Sequence, residues 1–330
     1  MTRPPLVDRF GRVHTDLRVS LTDRCTLRCT YCMPEEGVDW LARDLVLSDD
    51  EIVRLVCLAA ELGVRSIRLT GGEPLLRQGL PELVRRLAGI QPKLRISLTT
   101  NGLRLPELAG ELAAAGLGRV NVSLDTLKPA TFLALTRRTG LDVVLEGLRA
   151  AAAAGLTPVK VNTVLTRGVN DDEVLDLLHF CLDRGYELRF IESMPLDAQH
   201  AWSRDSMVAA SEIRATIETR HELTAVGGRG SAPAETWLVD GGPARVGIIA
   251  SVTAPFCAAC DRLRLTADGQ VRNCLFATEE SDLRLAIRAG ATDDKLAQIW
   301  RNAVLAKKKG HGIGAPDFVA PARPMSAIGG

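Results

Sequence analysis

No stretch of eighteen apolar residues interrupts this chain, so it offers no candidate membrane-spanning helix. The start, Met1-Thr2-Arg3-Pro4-Pro5, is followed by no apolar core of a secretory leader. Nor is there an excess of one charge. The 41 Lys and Arg are nearly matched by 40 Asp and Glu, leaving +1, and the two signs are interspersed. A nucleic-acid or membrane-surface protein usually carries a basic face, so neither partner is expected, and any anionic ligand must be met by a local arginine cluster. No G-x4-G-K-[ST] loop exists, so a nucleotide here would be a substrate held by arginines and not an energy source. The expectation is a soluble, cytoplasmic protein.

What the chain does have is length and rhythm. With 330 residues, 46% of them hydrophobic, it can bury one large core of the barrel kind with something appended. Strands are expected at 16–21, 66–70, 94–99, 119–124, 159–164 and 187–192, alternating with helices at 49–62, 80–87 and 105–115, helical segments through 154, and a helix at 171–183. Ser48 with Glu51 is a capping box opening the first helix. Such alternation makes right-handed parallel β-α-β units. Six are too few for the closed eight-fold barrel, which predicts an α/β fold with a partial, splayed (β/α)6 TIM-type barrel over residues 1–195. Residues 196–330 form a second region that closes the open side, with a hairpin at 236–239 and 244–250 and a last helix at 293–306. In such barrels the site lies at the C-terminal ends of the strands. Cys25, Gly71-Gly72, Thr99-Thr100-Asn101, Ser123-Leu124-Asp125, Asn162 and Glu192 all fall there.

The eight cysteines fall as three, one, one and three, which is two clusters and two bystanders, Cys57 and Cys181, in apolar helical patterns. Cys25, Cys29 and Cys32 are spaced C-x3-C-x2-C with Tyr31 before the last. Three thiolates in one loop can hold three irons of a [4Fe-4S] cluster and leave the fourth iron open for a small molecule. A zinc knot would need a fourth Cys or His at finger spacing, and the next cysteine is Cys57. The second triad, Cys257, Cys260 and Cys274, also lacks a fourth ligand nearby, the next histidine being His311. Its spacing alone divides evenly between iron-sulfur and zinc with a water. The first triad tilts it toward a second cluster, one that would bind substrate. After Cys260 the run Asp261-Arg262-Leu263-Arg264-Leu265-Thr266 alternates, putting Arg262 and Arg264 on one side of a strand, where guanidinium forks suit phosphate. Arg18 and Arg68 could complete an electropositive mouth.

The first triad resembles that of the radical S-adenosylmethionine (SAM) enzymes, which bind SAM at the open iron and cleave it to a 5′-deoxyadenosyl radical. The wider set resembles the GTP 3′,8-cyclase branch that serves molybdenum cofactor biosynthesis. It comprises Arg18 to Cys25, Arg68 to Arg77, Thr99 to Gly102, Val122 to Asp125, Val159 to Asn162, Arg189 to Pro195, Cys257 to Arg264 with Cys274, and Gly329-Gly330. The resemblance implies two [4Fe-4S] clusters, SAM, GTP as substrate, and an electron donor, with a homodimer left open. Carried over by position, Tyr31, Gly72, Ser123 and Met194 contact SAM. Arg18, Arg68, Thr99, Lys160, Arg262, Leu263 and Arg264 contact GTP. Arg189 and a tail ending in Gly329 and Gly330 serve the reaction itself. Ser193 departs from the bulkier residue usual between Glu192 and Met194. The rivals are a peptide-modifying radical SAM enzyme with an auxiliary cluster and a zinc-stabilised binding protein without chemistry.

Overall fold

In the computed structural model, which describes residues 3–197, 199, 201–316 and 318–329, the alternating segments become a continuous sheet. Strands β1 (Asp16–Ser20), β2 (Ser66–Thr70), β3 (Arg95–Thr100), β4 (Arg119–Ser123), β5 (Lys160–Leu165) and β6 (Glu187–Glu192) pair in parallel in that order. Between them run α1 (Asp49–Glu61), α2 (Leu80–Ala88), α3 (Leu105–Ala114), α4 (Pro129–Thr136), α5 (Leu141–Ala153) and α6 (Val174–Leu182). Helix α1 opens on the capping box, with Ser48 Oγ accepting from the Glu51 amide and Glu51 from that of Ser48.

The later half of the chain adds α7 (Ala210–Glu218), β7 (Leu223–Ala225), β8 (Glu235–Val239), β9 (Arg245–Ile249), β10 (Arg262–Leu265), β11 (Gln270–Arg272), β12 (Ser281–Asp282), α8 (Leu283–Arg288), α9 (Asp293–Leu305) and α10 (Met325–Ile328). The expected hairpin is β8–β9, turning at Asp240, Gly241 and Gly242, all at positive φ. Helix α9 is followed by the one-turn α10, too short to show a period in sequence.

These strands extend both edges of the sheet: β9 pairs in parallel with β6, and β10 in parallel with β1. Eight parallel strands result, in the order β10-β1-β2-β3-β4-β5-β6-β9, with β11 and β12 beyond one edge and β8 and β7 beyond the other. The outermost strands do not pair with each other, so the barrel is partial. Ile249 stands opposite Ile191 near the C-terminal end of β6, whereas Arg262 stands opposite Asp16 at the start of β1. The segment 250–261 therefore runs from one end of the barrel to the other as it passes from edge to edge.

Outward residues such as Leu17, Val19, Ile67, Leu69, Val120, Val122, Leu188 and Phe190 meet Leu55, Leu83, Leu148 and Leu178 of the helices in one apolar core. The inward residues are of another kind. A closed barrel of eight strands fills its interior with branched apolar side chains, whereas here Arg18, Arg68, Thr99, Ser123, Asn162, Arg189, Arg262 and Arg264 line a cavity of about 310 Å³. Cys181 is buried in the core and Cys57 packs against it, both away from the cavity. Among the described residues no helix is long and apolar enough to cross a membrane.

Glu192, fully buried, fastens the end of β6 to the crossing segment. Its carboxylate accepts from the amides of Ala210 (2.8 Å), Val252 (2.8 Å) and Thr253 (3.0 Å) and from the Thr253 hydroxyl. Removing it leaves the buried Val252 amide and the part-buried donors of Ala210 and Thr253 unpaired, an unmet buried donor costing about 1 to 3 kcal/mol and the part-buried ones less. Glu192→Ala is expected to lower the unfolding free energy of the metal-free protein by about 3 kcal/mol or more, and Glu192→Gln by less, in urea titrations.

Candidate active site

The first cysteine triad sits just past the C-terminal end of β1. Its loop is docked on the end of α4, with the amides of Arg28 and Thr30 donating to the carbonyls of Thr136 and Leu135 (2.9 and 3.0 Å). Within it the amides of Cys32 and Met33 both donate to Cys29 O at 2.9 Å, a tight turn that holds the three thiols on the cavity wall. Gly71 and Gly72 permit a second approach. The amides of Gly72 and Glu73 donate to the carbonyls of Thr22 and Arg24 at 2.7 Å, so the turn after β2 lies directly against the entry to the cysteine loop. A Cβ on Gly72 would collide with the Asp23 and Arg24 carbonyl oxygens. The glycines are therefore more than a turn; they allow backbone to pack on backbone.

Acids surround this end. Glu73 accepts from Leu75 N, Asn101 N and Thr100 Oγ1, and Asp125 accepts from the Tyr31 hydroxyl (2.6 Å) and Val164 N (2.8 Å). Burial, only partly offset by these bonds, pushes Glu73 up to about 7 and Asp125 up to about 6. Burial likewise pushes the Cys25 thiol up to about 11 and Cys32 up to about 12, and Cys29 well upward, in each case with a neighbouring negative charge adding to it. Such thiols ionise when a metal supplies the missing positive charge. The donor set of this triad, three thiols and no fourth ligand, fits a four-iron cluster with one iron free.

Toward the other end of the strands the lining turns cationic. Arg18 stands in register with Arg264 on β10 and Arg68 on β2, and Arg262 stands one inward step below, opposite Asp16. With Arg189 from β6 these guanidiniums face one space. Burial and then neighbouring arginines push Arg18 down to about 9, and burial pushes Arg68 and Arg189 down to about 10 and Arg264 lower still. Arginine keeps its charge in proteins, so the direction records how poorly the interior holds these cations without an anion among them. Asp16 is one carboxylate set there, held below its usual range by Arg68, Arg18 and Arg262 against the upward push of burial. Arg18 Nε, Arg68 Nε and Asn162 Oδ1 are buried and find no hydrogen-bond partner among the described residues.

The second triad lies at that N-terminal end. Cys257 and Cys260 precede β10 and Cys274 follows β11, and all three line the same cavity as the first triad. Here the neighbours are cations. Lys307 Nζ lies 3.7 Å from Cys260 Sγ, and Arg262 stacks over Phe256 at 4.7 Å. Although burial works the other way, Lys307 and Arg262 bring the Cys260 thiol below its usual range. Among the described residues no three Cys, His, Asp or Glu side chains converge on a point where one metal ion could sit.

The C-terminal tail enters the site. Helix α10 places Met325 and Ser326 on the cavity lining, Ile328 is fully buried, and Arg323 anchors the approach through Asp268 (2.8 Å) and Glu280 (3.0 Å). Gly329, at φ +81, offers its carbonyl to Arg264 Nη1, and a Cβ there would strike Ser20 Oγ. Gly330 lies outside the described residues.

Of the residues expected from sequence, Tyr31, Gly72, Ser123, Met194, Arg18, Arg68, Thr99, Arg189, Arg262, Arg264 and the six triad cysteines share the cavity. Two stand apart. Lys160 is paired with Glu187 in an adjoining pocket of about 100 Å³ that also touches Arg189, because it lies one inward step before Asn162 on β5. Leu263 points into the core and is not on the cavity lining. Sequence reasoning passed over Lys307, Phe256 and the Tyr31–Asp125 pair. The first two carry no motif; an inward-facing acid two residues past Ser123 was a signal for the third.

Residues 19–181 match the family model described as Radical SAM superfamily, and residues 186–313 match Molybdenum Cofactor Synthesis C. The chain is 64% identical over 328 residues to a GTP 3′,8-cyclase of Streptomyces coelicolor, spanning 98% of this chain and 96% of that one. It is 57% identical over 335 residues to a GTP 3′,8-cyclase 2 of Mycobacterium tuberculosis, spanning 100% and 93%. Among solved structures, Streptococcus suis SuiB bound to S-adenosylmethionine superposes with a TM-score of 0.62 at 13% identity over 88% of this chain and 69% of that one. That likeness speaks for the fold.

The glycine contacts yield a test. Gly72→Ala is expected to displace the cysteine loop and strip the iron of the first triad. Gly110→Ala, exposed on α3 with nothing within 4 Å of a new Cβ, is expected to stabilise the chain by about 0.5 to 1 kcal/mol. Iron content and thermal midpoint of the two variants, measured side by side, check both.

Proposed function

The chain belongs to the GTP 3′,8-cyclase family within the radical SAM superfamily, and from that membership we infer that this cavity performs the family's reaction. It is an enzyme that converts GTP to (8S)-3′,8-cyclo-7,8-dihydroguanosine 5′-triphosphate, the first step of molybdenum cofactor biosynthesis. The observation that carries the reading for these residues is the set Arg18, Arg68, Arg189, Arg262 and Arg264 lying between two cysteine triads in one cavity.

In this reading Cys25, Cys29 and Cys32 hold the cluster that binds SAM, with Tyr31, Gly72, Ser123 and Met194 against SAM. Cys257, Cys260 and Cys274 hold a second cluster that binds the guanine. The first cluster with SAM, when bound, would supply the one-electron chemistry that activates C3′ of the ribose for bonding to C8 of guanine. The residues of the chain have a positioning task. Arg18, Arg68, Arg262 and Arg264, with Thr99 and the Leu263 backbone, take the triphosphate and base, since guanidinium forks match phosphate oxygens and both ends of GTP must be fixed to present one ribose carbon. Arg189 adds a further cation near the substrate. Lys160 reaches GTP only by leaving Glu187, which makes it the outlying ligand of the set. Gly329 brings backbone alone into a space that Ser20 and Arg264 leave too narrow for a side chain, and Gly330 is proposed to serve the reaction with it. The division at residue 195 is one of role: 1–195 for the radical, 196–330 for the auxiliary cluster and GTP. An electron donor and a reducing cytoplasm, where clustered thiols stay free, complete the proposal.

Anaerobic analysis of the reconstituted chain is expected to give about eight irons and eight sulfides, from two four-iron clusters. Cys25→Ser, Cys29→Ser or Cys32→Ser should each abolish 5′-deoxyadenosine formation. Zinc without sulfide, or full 5′-deoxyadenosine from any of the three, refutes the reading.

The arginines and the tail separate binding from turnover. Arg262→Ala is expected to weaken GTP about ten- to a hundred-fold while both clusters stay, because a charge-assisted bond worth roughly 1.5 to 3 kcal/mol is lost. Gly329→Val should leave iron content and GTP affinity near the parent values and sharply reduce cyclised product per SAM consumed. Equal product yield would return the tail to a passive end.

A further inference from the structure

Lys307 follows α9 and is only 3% exposed. Its Nζ makes three contacts: Asn273 O at 2.5 Å, Arg262 O at 2.8 Å and Cys260 Sγ at 3.7 Å. An ammonium has three protons to donate, and all three are used. Every acceptor is a triad cysteine or close to one in the chain: Cys260 itself, Arg262 two residues on, and Asn273 immediately before Cys274. The third cysteine is tied from the other side. Arg12 Nη1 donates to Cys257 O at 2.6 Å and Nη2 to Lys308 O at 2.8 Å, while its Nε is held at 2.6 Å by the buried Asp8. The residue next to Lys307 thus closes a clamp linking the segments that carry Cys257, Cys260 and Cys274.

A buried cation is costly unless a negative charge accompanies it. Among the described residues no carboxylate lies within ion-pair distance of Lys307, and the closest group able to carry negative charge is the Cys260 sulfur. Three thiolates around an oxidised four-iron core leave net negative charge beside that ammonium. Hydrogen bonds to cluster sulfurs are one of the levers a protein has on reduction potential. We propose that Lys307 is the positioning residue of the second cysteine triad: it fixes the segments bearing the three ligands and, through its N–H···S contact with Cys260, holds the bound cluster and raises its potential. The proposal rests on the reading that this triad carries a four-iron cluster.

The test uses the full chain carrying Cys29→Ser, so that only the second triad can hold a cluster. This background should contain about four irons; if it contains none, the cluster reading fails regardless of Lys307. Given four, Lys307→Met is expected to lose iron to an external chelator about ten- to a hundred-fold faster, the usual cost of removing a group that supports a metal ligand. Its cluster should also titrate, by electron paramagnetic resonance, at a lower midpoint potential. Lys307→Arg, which keeps the charge, should recover most of the potential. Should the methionine variant not fold, Lys307→Gln, which keeps donors and drops the charge, decides the question by the same two readouts. Unchanged chelation rate and unchanged potential in the folded uncharged variant overturn the proposal.

Discussion

The constraint on which the structure depends is the mutual repulsion of guanidiniums inside a barrel. Arg18, Arg68, Arg189, Arg262 and Arg264 point into one cavity where burial already disfavours charge. Asp16 and the Gly329 carbonyl answer only part of that charge. An interior of this kind cannot collapse into a packed core, because each arginine would lose more on desolvation than its apolar stem gains. The cavity stays open for a polyanion, and folding stability must come from the opposite face of the same strands, where Leu17, Val19, Ile67 and Leu69 pack on the helices.

Holding that interior requires walls on both edges, and the later part of the chain supplies them by strand pairing rather than by a separate lid. β9 continues the parallel sheet beyond β6 and β10 does so beyond β1, so Arg262 and Arg264 enter the site in register with Asp16 and Arg18. The segment 250–261 must then traverse the barrel, and it is pinned at its start by Glu192 and near its end by Arg12. Its polar ties suit a stretch that has little apolar surface to bury. The second triad belongs to this same traverse and to the strand that answers it.

Much of this was legible in the residues. Period-two alternation gave β1 to β6 to within about one residue at their ends, with β2 and β6 without error; in β6 the alternation of Glu187, Leu188, Arg189 and Phe190 carries the signal, which Ile191 and Glu192 then break. The Arg262-Leu263-Arg264 alternation likewise put both arginines on one face. Which strand β10 would join was not legible, since alternation specifies faces and not neighbours. The same gap explains Lys160: strand membership was clear from its pattern, but its pairing with Glu187 depends on the register of β5 against β6. Lys307 stood in a Lys307-Lys308-Lys309 run that reads as a solvated charge cluster, and only the packing of α9 beneath β11 turns its first member inward.

The two triads share one cavity but have different charged neighbours. At the first, Glu73 and Asp125 add negative charge to buried thiols, so the protein resists ionised cysteines until a metal arrives. At the second, Lys307 and Arg262 bring the Cys260 thiol below its usual range against the push of burial, whereas burial raises that of Cys257. Glu73 and Asp125 stand near the first triad, whereas Lys307, Arg262 and Arg264 stand near the second, so one cavity offers two differently charged surroundings. A single barrel holds both surroundings because its inward residues are largely polar or charged, while most outward ones, such as Leu17, Val19, Ile67 and Leu69, pack on the helices.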